Sequence, residues 1–244
     1  TGGIDAVCPD CARKYGQGEP LTKLDRVRLV ELPLNSRLED VVGGVDEFAA
    51  IHERARVKRG ILSQADRNLL YIDEVNMLPD EVVDSILDAA ALGTYTVRRG
   101  AVSATYRARF ALIGSMNPEE GRLRPQILDR FGLRVVVRGL PEISDRLEAY
   151  RRVHDYLENQ HRVIQAFQAD MDQALQDIQH ARELLPEVEL LDDVAQVGLK
   201  IVHQLGIDSL RAEITLFEAA RTLAVLDNRR IVGVEDIFTI APMA

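Results

Sequence analysis

The feature that most constrains the fold is residues 68–72, Asn-Leu-Leu-Tyr-Ile, a largely apolar run that Asp73 and Glu74 follow directly. A short run that is apolar on both faces is typical of a central strand in a parallel sheet covered by helices. Ligands of such sheets bind at the carboxyl ends of the strands. We therefore expect Asp73 to hold a Mg²⁺ ion through water and Glu74 to polarise an attacking water molecule. The alternative is a strand that ends in a solvated acidic turn.

Further strands and helices alternate along the first 140 residues. The sequence Pro-Asp-Glu at 79–81 favours the start of a helix, because acidic groups stabilise its positive end, and Gly93 favours its end. A β-hairpin is predicted to turn near Arg99 and Gly100. The remaining predictions are strands within 27–34, 109–114 and 135–137, and a helical stretch over 38–59 that Gly43 and Gly44 interrupt.

From Ser144 onward the pattern is almost entirely helical, with predicted helices at about 144–168, 170–184, 191–205, 210–227 and from 234. Two domains are therefore expected. Residues 1–140 form an α/β core with a parallel sheet flanked by helices, in which residues 1–28 are a turn-rich insertion or loop. Residues 141–244 form an all-helical lid domain.

The charge is distributed unevenly between these domains. Residues 1–140 carry 20 basic and 20 acidic side chains, whereas residues 141–244 carry 10 and 19. An acidic module argues against a nucleic acid or an anionic membrane as its partner, since both attract basic surfaces. The alternative is an acidic face that only maintains solubility. No apolar run approaches the length of a membrane-spanning helix and no signal-peptide pattern is present, so we expect a cytoplasmic protein without membrane insertion.

The two cysteines, Cys8 and Cys11, form the sequence Cys-Pro-Asp-Cys. This spacing suits half of a structural zinc site, which needs four ligands, and the chain contains no second cysteine pair. Two interpretations stay open: a Zn²⁺ site whose other ligands lie before Thr1, and a turn with reduced, intracellular thiols. A disulfide-stabilised secreted fold is not supported.

Three other residues carry groups suited to phosphate chemistry. Asn117, just after a predicted strand, offers an amide that can orient water or contact a γ-phosphate, although Asn-Pro is also a common turn. Arg130 can reach the nucleotide of a neighbouring subunit as an arginine finger, or form a surface ion pair. Arg211 lies in the first turn of a predicted helix, where the helix dipole disfavours it, so a functional role or a salt bridge would explain its position.

Four stretches together resemble the AAA+ ATPase superfamily, and more closely the ATPase motor subunits of magnesium chelatase. They are Leu-Tyr-Ile-Asp-Glu-Val-Asn (70–76), Ile-Leu-Asp-Ala-Ala (86–90), Asn-Pro-Glu-Glu-Gly-Arg-Leu-Arg-Pro-Gln-Ile-Leu-Asp-Arg-Phe-Gly (117–132) and Leu-Arg-Ala-Glu-Ile-Thr-Leu (210–216). The resemblance covers residues 27–244. It implies an insert within 41–59 and a hairpin within 93–110 that project from a ring toward partners or the pore.

The resemblance also implies a role for each candidate residue. Asp73 corresponds to the Walker B carboxylate that holds Mg²⁺, and Glu74 to the base that activates water. Asn117 corresponds to sensor 1. Arg130 corresponds to the arginine finger that acts on the ATP of the next subunit, and Arg211 to sensor 2, which ties the lid to the γ-phosphate.

One family element is missing from the sequence, because no G-x-x-x-x-G-K-[ST] motif occurs. In family order this Walker A loop belongs before residue 1. We therefore expect an N-terminally truncated chain that by itself binds ATP poorly and is inactive.

The function implied by the resemblance is that of an ATP-hydrolysing, homo-oligomeric ring that powers metal insertion into protoporphyrin IX, with magnesium as the metal. Its expected partners are an integrin-like subunit related to the ATPase and a large porphyrin-binding chelatase subunit. Three alternatives stay open: a cobalt-chelatase ATPase, a MoxR-like AAA+ chaperone, and a ring scaffold that senses nucleotide without hydrolysing it.

Overall fold

The computed structural model describes residues 9–19, 26–45, 57–99 and 102–244. The chain divides into two compact units, Thr1–Leu128 and Asp129–Ala244. The first contains a parallel sheet with helices and the second is helical, which confirms the fold class predicted from the sequence. The division lies earlier in the chain than residue 140, where the sequence pattern changes.

The elements of the first unit are, in chain order, α1 (Pro9–Gly16), β1 (Leu29–Leu32), α2 (Leu38–Val42), β2 (Gly43–Val45), β3 (Val57–Arg59), α3 (Ile61–Ala65), β4 (Leu69–Ile72), α4 (Asp80–Leu92), β5 (Thr94–Arg99), β6 (Val102–Arg107), β7 (Ala111–Gly114) and α5 (Pro125–Leu128). A short 3₁₀ turn, Val75–Met77, lies between β4 and α4.

The parallel sheet has the strand order β1-β4-β7, so that β4 is its central strand, as predicted. Leu70 and Ile72 are buried on one face of β4, while Leu69 and Tyr71 on the other face are partly exposed. The register pairs Ile72 of β4 with Gly114 of β7. Because all three strands run in the same direction, the residues that follow them meet at one edge of the sheet.

Helix α4 forms much as the sequence predicts, and it contacts α2 and β5. It begins after Pro79 with two acidic residues in its first turn. Five apolar residues of one face are buried: Val82, Val83, Ile86, Leu87 and Ala89. The helix ends at Gly93, whose φ of 67° is the left-handed conformation that glycine adopts without steric cost.

The helical stretch predicted over 38–59 is wrong at residues 43–45 and 57–59. Residues 43–45 and 57–59 are instead the antiparallel strands β2 and β3, and residues 46–56 lie outside the described part of the chain. The cause is a close backbone crossing at Gly43, where a Cβ atom would lie 2.3 Å from the carbonyl oxygen of Lys58. Gly43 also has a φ of 103°, which excludes a helical continuation.

The predicted hairpin is present as the antiparallel strands β5 and β6, which pair from Thr94 with Arg107 to Arg99 with Val102. Its proposed turn residue Gly100 lies outside the described residues. The buried face of the hairpin stacks Tyr95 on Tyr106, with ring centroids 5.6 Å apart. Arg59 of β3 lies over the ring of Tyr106, so a cation–π contact joins β3 to the hairpin of β5 and β6.

The elements of the second unit are α6 (Ile143–Glu158), α7 (Gln160–Ala166), α8 (Gln168–Leu184), α9 (Asp192–Gln204), α10 (Leu210–Leu226) and α11 (Val234–Ile240). Its core lies among α9, α10 and α11, around Leu216, Ala220, Ala224, Val225 and Ile237. None of the described helices of either unit is both long and apolar enough to span a membrane.

The strand predicted at 135–137 is absent. Val135, Val136 and Val137 are 69%, 80% and 89% exposed, although their β-branched side chains favour extended structure. A strand requires a hydrogen-bonded neighbour, and no described strand pairs with these residues. The preceding Arg134 is instead bound to the C-terminus, through its backbone N–H to the carbonyl of Met243 and its guanidinium to the carbonyl of Ala244.

Candidate functional site

Asp73 and Ser115 lie side by side at the carboxyl edge of the sheet. Each is the first residue after its strand, and the register of Ile72 with Gly114 brings the two together. The Ser115 hydroxyl donates a hydrogen bond of 2.5 Å to Oδ1 of Asp73. The Tyr71 hydroxyl donates a second one, of 3.1 Å, to the same oxygen.

These hydroxyl groups control the charge of Asp73. The hydrogen bond from Ser115, followed by that from Tyr71, lowers the pKa of Asp73 below its ordinary value. Hydrogen bonds to a carboxylate favour its charged form. Asp73 is therefore ionised at neutral pH, and it is exposed at the edge of the sheet.

Glu74 follows in an unusual backbone conformation, with φ 48° and ψ 53°. This left-handed conformation is strained for a residue other than glycine and persists only where neighbouring groups enforce it. Here its N–H donates to Oγ of Ser115 over 3.2 Å, and the next N–H, of Val75, donates to the Ser115 carbonyl. Among the described residues, none forms a hydrogen bond or ion pair with the Glu74 carboxylate.

Asn117 lies two residues beyond Ser115 and is exposed. Its Oδ1 accepts the N–H of Glu119, which leaves the NH₂ group of the amide for another partner. Its backbone carbonyl accepts a hydrogen bond of 3.4 Å from the side chain of Asn76. The loop that carries Asn117 is thus attached to the segment that follows Asp73 and Glu74.

The donor set at this edge fits a hydrated Mg²⁺ ion. Mg²⁺ prefers oxygen ligands, keeps several of its waters, and binds proteins through one or two carboxylates. An ionised aspartate whose orientation is set by two hydroxyl groups meets this requirement. Glu74, the second carboxylate, is adjacent in the chain and is suited to accept a proton from water.

The two arginine candidates belong to the second unit. Arg211, in the first turn of α10, forms an ion pair of 3.0 Å with Oδ2 of Asp129. Ser209 donates to the other oxygen of the same carboxylate, also over 3.0 Å. Arg130 is exposed and directly follows Asp129 in the chain. The salt bridge considered as an alternative for Arg211 is therefore present in the structure.

The structure thus brings Asp73, Glu74 and Asn117 together in the first unit, and Arg130 and Arg211 near one another in the second, through Asp129. The cysteine pair is not brought together, because Cys8 lies outside the described residues. Cys11 lies on α1 and is partly exposed. The zinc site stays a prediction.

Sequence reasoning missed Tyr71, Asn76 and Ser115 as members of the site. Ser115 lies two residues before Asn117 in the sequence Ser-Met-Asn-Pro (115–118), of which only Asn117 was considered. Side chains alternate along a strand, so Tyr71 faces the same side of β4 as Asp73 and the opposite side from Ile72. This alternation was the signal that could have placed the Tyr71 hydroxyl near Asp73. The signal that could have identified Ser115 was its position directly after a predicted parallel strand.

Comparison with known proteins gives two matching family models. One, described as magnesium chelatase, subunit ChlI, matches residues 44–126, and the other, described as the AAA lid domain, matches residues 200–244. The chain is 41% identical over 232 residues to a magnesium-chelatase subunit ChlI homolog of Methanocaldococcus jannaschii, covering 95% of this chain and 64% of the relative. It is 38% identical over 240 residues to the magnesium-chelatase 38 kDa subunit of Acidiphilium rubrum, covering 98% of this chain and 70% of that protein.

A crystal structure from Cytophaga hutchinsonii has the same fold. It superposes with a TM-score of 0.61 at 20% sequence identity, covering 89% of this chain and 68% of that one.

Proposed function

Because the chain belongs to the magnesium-chelatase ChlI family of AAA+ ATPase subunits, we propose that it serves as the motor subunit of a magnesium chelatase. In this proposal the protein hydrolyses ATP, and the resulting motion powers the insertion of Mg²⁺ into protoporphyrin IX. The observation that carries the proposal is the pair Asp73 and Glu74 at the carboxyl edge of the parallel sheet, one carboxylate held ionised by hydroxyl groups and the other without a described partner.

The proposed roles of the first-unit residues follow from their chemistry. Asp73 binds the hydrated Mg²⁺ of the Mg²⁺–ATP complex, which when bound neutralises phosphate charge. Glu74 accepts a hydrogen bond from the attacking water and takes its proton as the water oxygen bonds to the γ-phosphorus. The bond between that phosphorus and the β–γ bridging oxygen breaks, and ADP and inorganic phosphate leave. The NH₂ group of Asn117 orients the water or a γ-phosphate oxygen.

The two arginines are assigned to charge stabilisation. As negative charge develops on the transferred phosphoryl group, a guanidinium lowers the barrier because it is positioned before the reaction occurs. We assign Arg130 to the ATP of the next subunit in a homo-oligomeric ring, and Arg211 to the γ-phosphate as the residue that links nucleotide state to the lid. The ion pair of Arg211 with Asp129 supports a role in which this guanidinium exchanges partners.

The remaining features of the proposal rest on the names of the relatives and on the resemblance of the sequence. Those names give only the magnesium and the chelatase. The porphyrin, the integrin-like partner subunit and the large porphyrin-binding subunit are proposed from the resemblance of the sequence. The cytoplasmic location and the weak nucleotide binding expected of this chain alone stay predictions.

Two assays on the full-length protein test the proposal. The first compares steady-state ATP turnover of the wild type with that of Glu74→Gln. We expect a loss of about 100-fold or more, typical of a missing general base, with ATP binding retained. The second follows the fluorescence of magnesium protoporphyrin when the partner subunits, protoporphyrin IX, Mg²⁺ and ATP are supplied. A variant that turns over ATP at the wild-type rate, or a wild type that supports no metal insertion, would contradict the proposal.

A further inference from the structure

The hydroxyl group of Ser115 makes two different hydrogen bonds to the two adjacent carboxylate residues. It donates its one proton to Oδ1 of Asp73 over 2.5 Å and accepts the backbone N–H of Glu74 over 3.2 Å. A hydroxyl has a single donor and can accept from a second group, so these contacts determine its rotamer. From this geometry we propose that Ser115 is a positioning residue for Mg²⁺–ATP hydrolysis, which orients the metal-binding carboxylate and fixes the backbone of the base. The inference rests on the proposed function.

The first consequence concerns the orientation of Asp73. Both hydroxyl donors, Ser115 and Tyr71, bind the same carboxylate oxygen, so Oδ2 carries neither of them. This asymmetry fixes the plane of the carboxylate before the metal arrives. Groups that orient a metal-binding carboxylate in this way commonly change metal affinity or activity by about 10- to 100-fold when they are removed.

The second consequence concerns the strained backbone of Glu74. Its φ of 48° has to be maintained by surrounding groups. Ser115 supplies two of them, its Oγ for the N–H of Glu74 and its carbonyl for the N–H of Val75. The Ser115 N–H in turn donates to the carbonyl of Ile72, so one residue is bonded to both sides of the Asp73-Glu74 pair.

The third consequence concerns Asn117. Ser115 connects the end of β7 to the loop in which Asn117 lies two residues further along. The residue that orients Asp73 therefore lies two positions before the amide that is proposed to orient the water. Ser115→Ala removes both side-chain contacts, and Ser115→Thr keeps the hydroxyl. Tyr71→Phe removes the weaker of the two donors to Asp73, together with the 3.5 Å contact of the Tyr71 hydroxyl with Oγ of Ser115.

The experiment uses the full-length protein as wild type, Ser115→Ala, Ser115→Thr and Tyr71→Phe. ATP binding is measured with Mg²⁺ and again in EDTA. The binding ratio is the dissociation constant in EDTA divided by the dissociation constant with Mg²⁺, and it reports how much the metal strengthens ATP binding. Turnover is then titrated with Mg²⁺ at saturating ATP. The binding ratio does not depend on turnover, and thermal melting checks the fold.

For Ser115→Ala we expect the binding ratio to fall about tenfold, the affinity in EDTA to stay within about twofold of wild type, and the Mg²⁺ concentration for half-maximal turnover to rise about tenfold. Ser115→Thr should recover at least part of each change, and Tyr71→Phe should lie between wild type and Ser115→Ala. A purely structural role would instead weaken binding equally with and without Mg²⁺.

The outcomes separate this inference from the proposed function. If wild type hydrolyses ATP and Glu74→Gln does not, but Ser115→Ala has the wild-type binding ratio and Mg²⁺ titration, the inference alone is overturned. Equal impairment of the alanine and threonine variants overturns it as well. If Glu74→Gln retains full turnover, the proposed function fails, and the role of Ser115 fails with it.

Discussion

The guanidinium of Arg211 lies 3.0 Å from the carboxylate of Asp129, the residue directly before Arg130. The two partners are 82 positions apart in the sequence, and both belong to the second unit. The ion pair therefore places the Arg211 guanidinium against the residue next to Arg130. In the proposed motor this contact relates the lid arginine to the finger arginine of the same subunit.

The Arg211–Asp129 pair should contribute little to stability, because its side chains are 59% and 46% exposed. We expect Asp129→Asn to lower the free energy of unfolding by less than about 1 kcal/mol. Arg229→Ala provides the contrast in the same unit, since it leaves Asp236, whose side chain is only 4% exposed, without its guanidinium partner. That variant should lose about 3 kcal/mol or more. Denaturant unfolding measures both, and equal losses would contradict this ranking.

Asp236 also predicts a dependence of stability on pH. The hydrogen bonds from Arg229 lower the pKa of Asp236 below its ordinary value of 3.8. A carboxylate with a lowered pKa stabilises the folded state above its unfolded pKa and loses that contribution as pH falls through the folded pKa.

The difference in unfolding free energy between wild type and Asp236→Asn should therefore be constant near neutral pH and decrease below 3.8. Unfolding curves measured from neutral pH into this range test the sign. A difference that grows on acidification would show that the carboxylate is not the stabilising form.

Gly198 predicts a steric limit in the core of the second unit. A Cβ atom at this position would lie 2.6 Å from Cε1 of Phe217. Gly198→Ala should therefore cost about 1–3 kcal/mol in unfolding free energy through overpacking. Gly139→Ala, outside the helices, is the control without a steric contact, because no atom lies within 4 Å of its added methyl group. Combining Gly198→Ala with Phe217→Leu should recover part of the loss, and an additive loss would exclude this contact as the cause.

The parts of the fold that follow from local sequence were predictable. The run at 69–72 and the helix between Pro79 and Gly93 are determined by apolar spacing, by acidic residues at the helix start and by a glycine at its end. The structure of residues 135–137 could not be predicted in this way, because their β-branched side chains favour a strand but a strand also requires a pairing partner. Gly43 and Gly44 signalled a break, but the close approach to Lys58 is a tertiary contact.

The candidate site also combines features set by local sequence with features set by tertiary contacts. Asp73 and Glu74 could be located from one short segment. The contact of Ser115 with Asp73 depends on the register between β4 and β7, which no local pattern sets, and the pairing of Arg211 with Asp129 depends on the packing of distant segments. Sequence alone therefore identifies the candidate carboxylates more readily than the residues that contact them.

Mixing two variants of the full-length protein tests the central claim most directly, namely that ATP is hydrolysed by groups from two adjoining subunits of a ring. Arg130→Ala and Glu74→Gln should each lose turnover when assayed alone. In an equal mixture that exchanges subunits at random, about a quarter of the interfaces combine an intact Glu74 with an intact Arg130 of the neighbour. We predict that the mixture regains about a quarter of the wild-type turnover per subunit. A mixture no more active than the average of the two separate variants would contradict the claim.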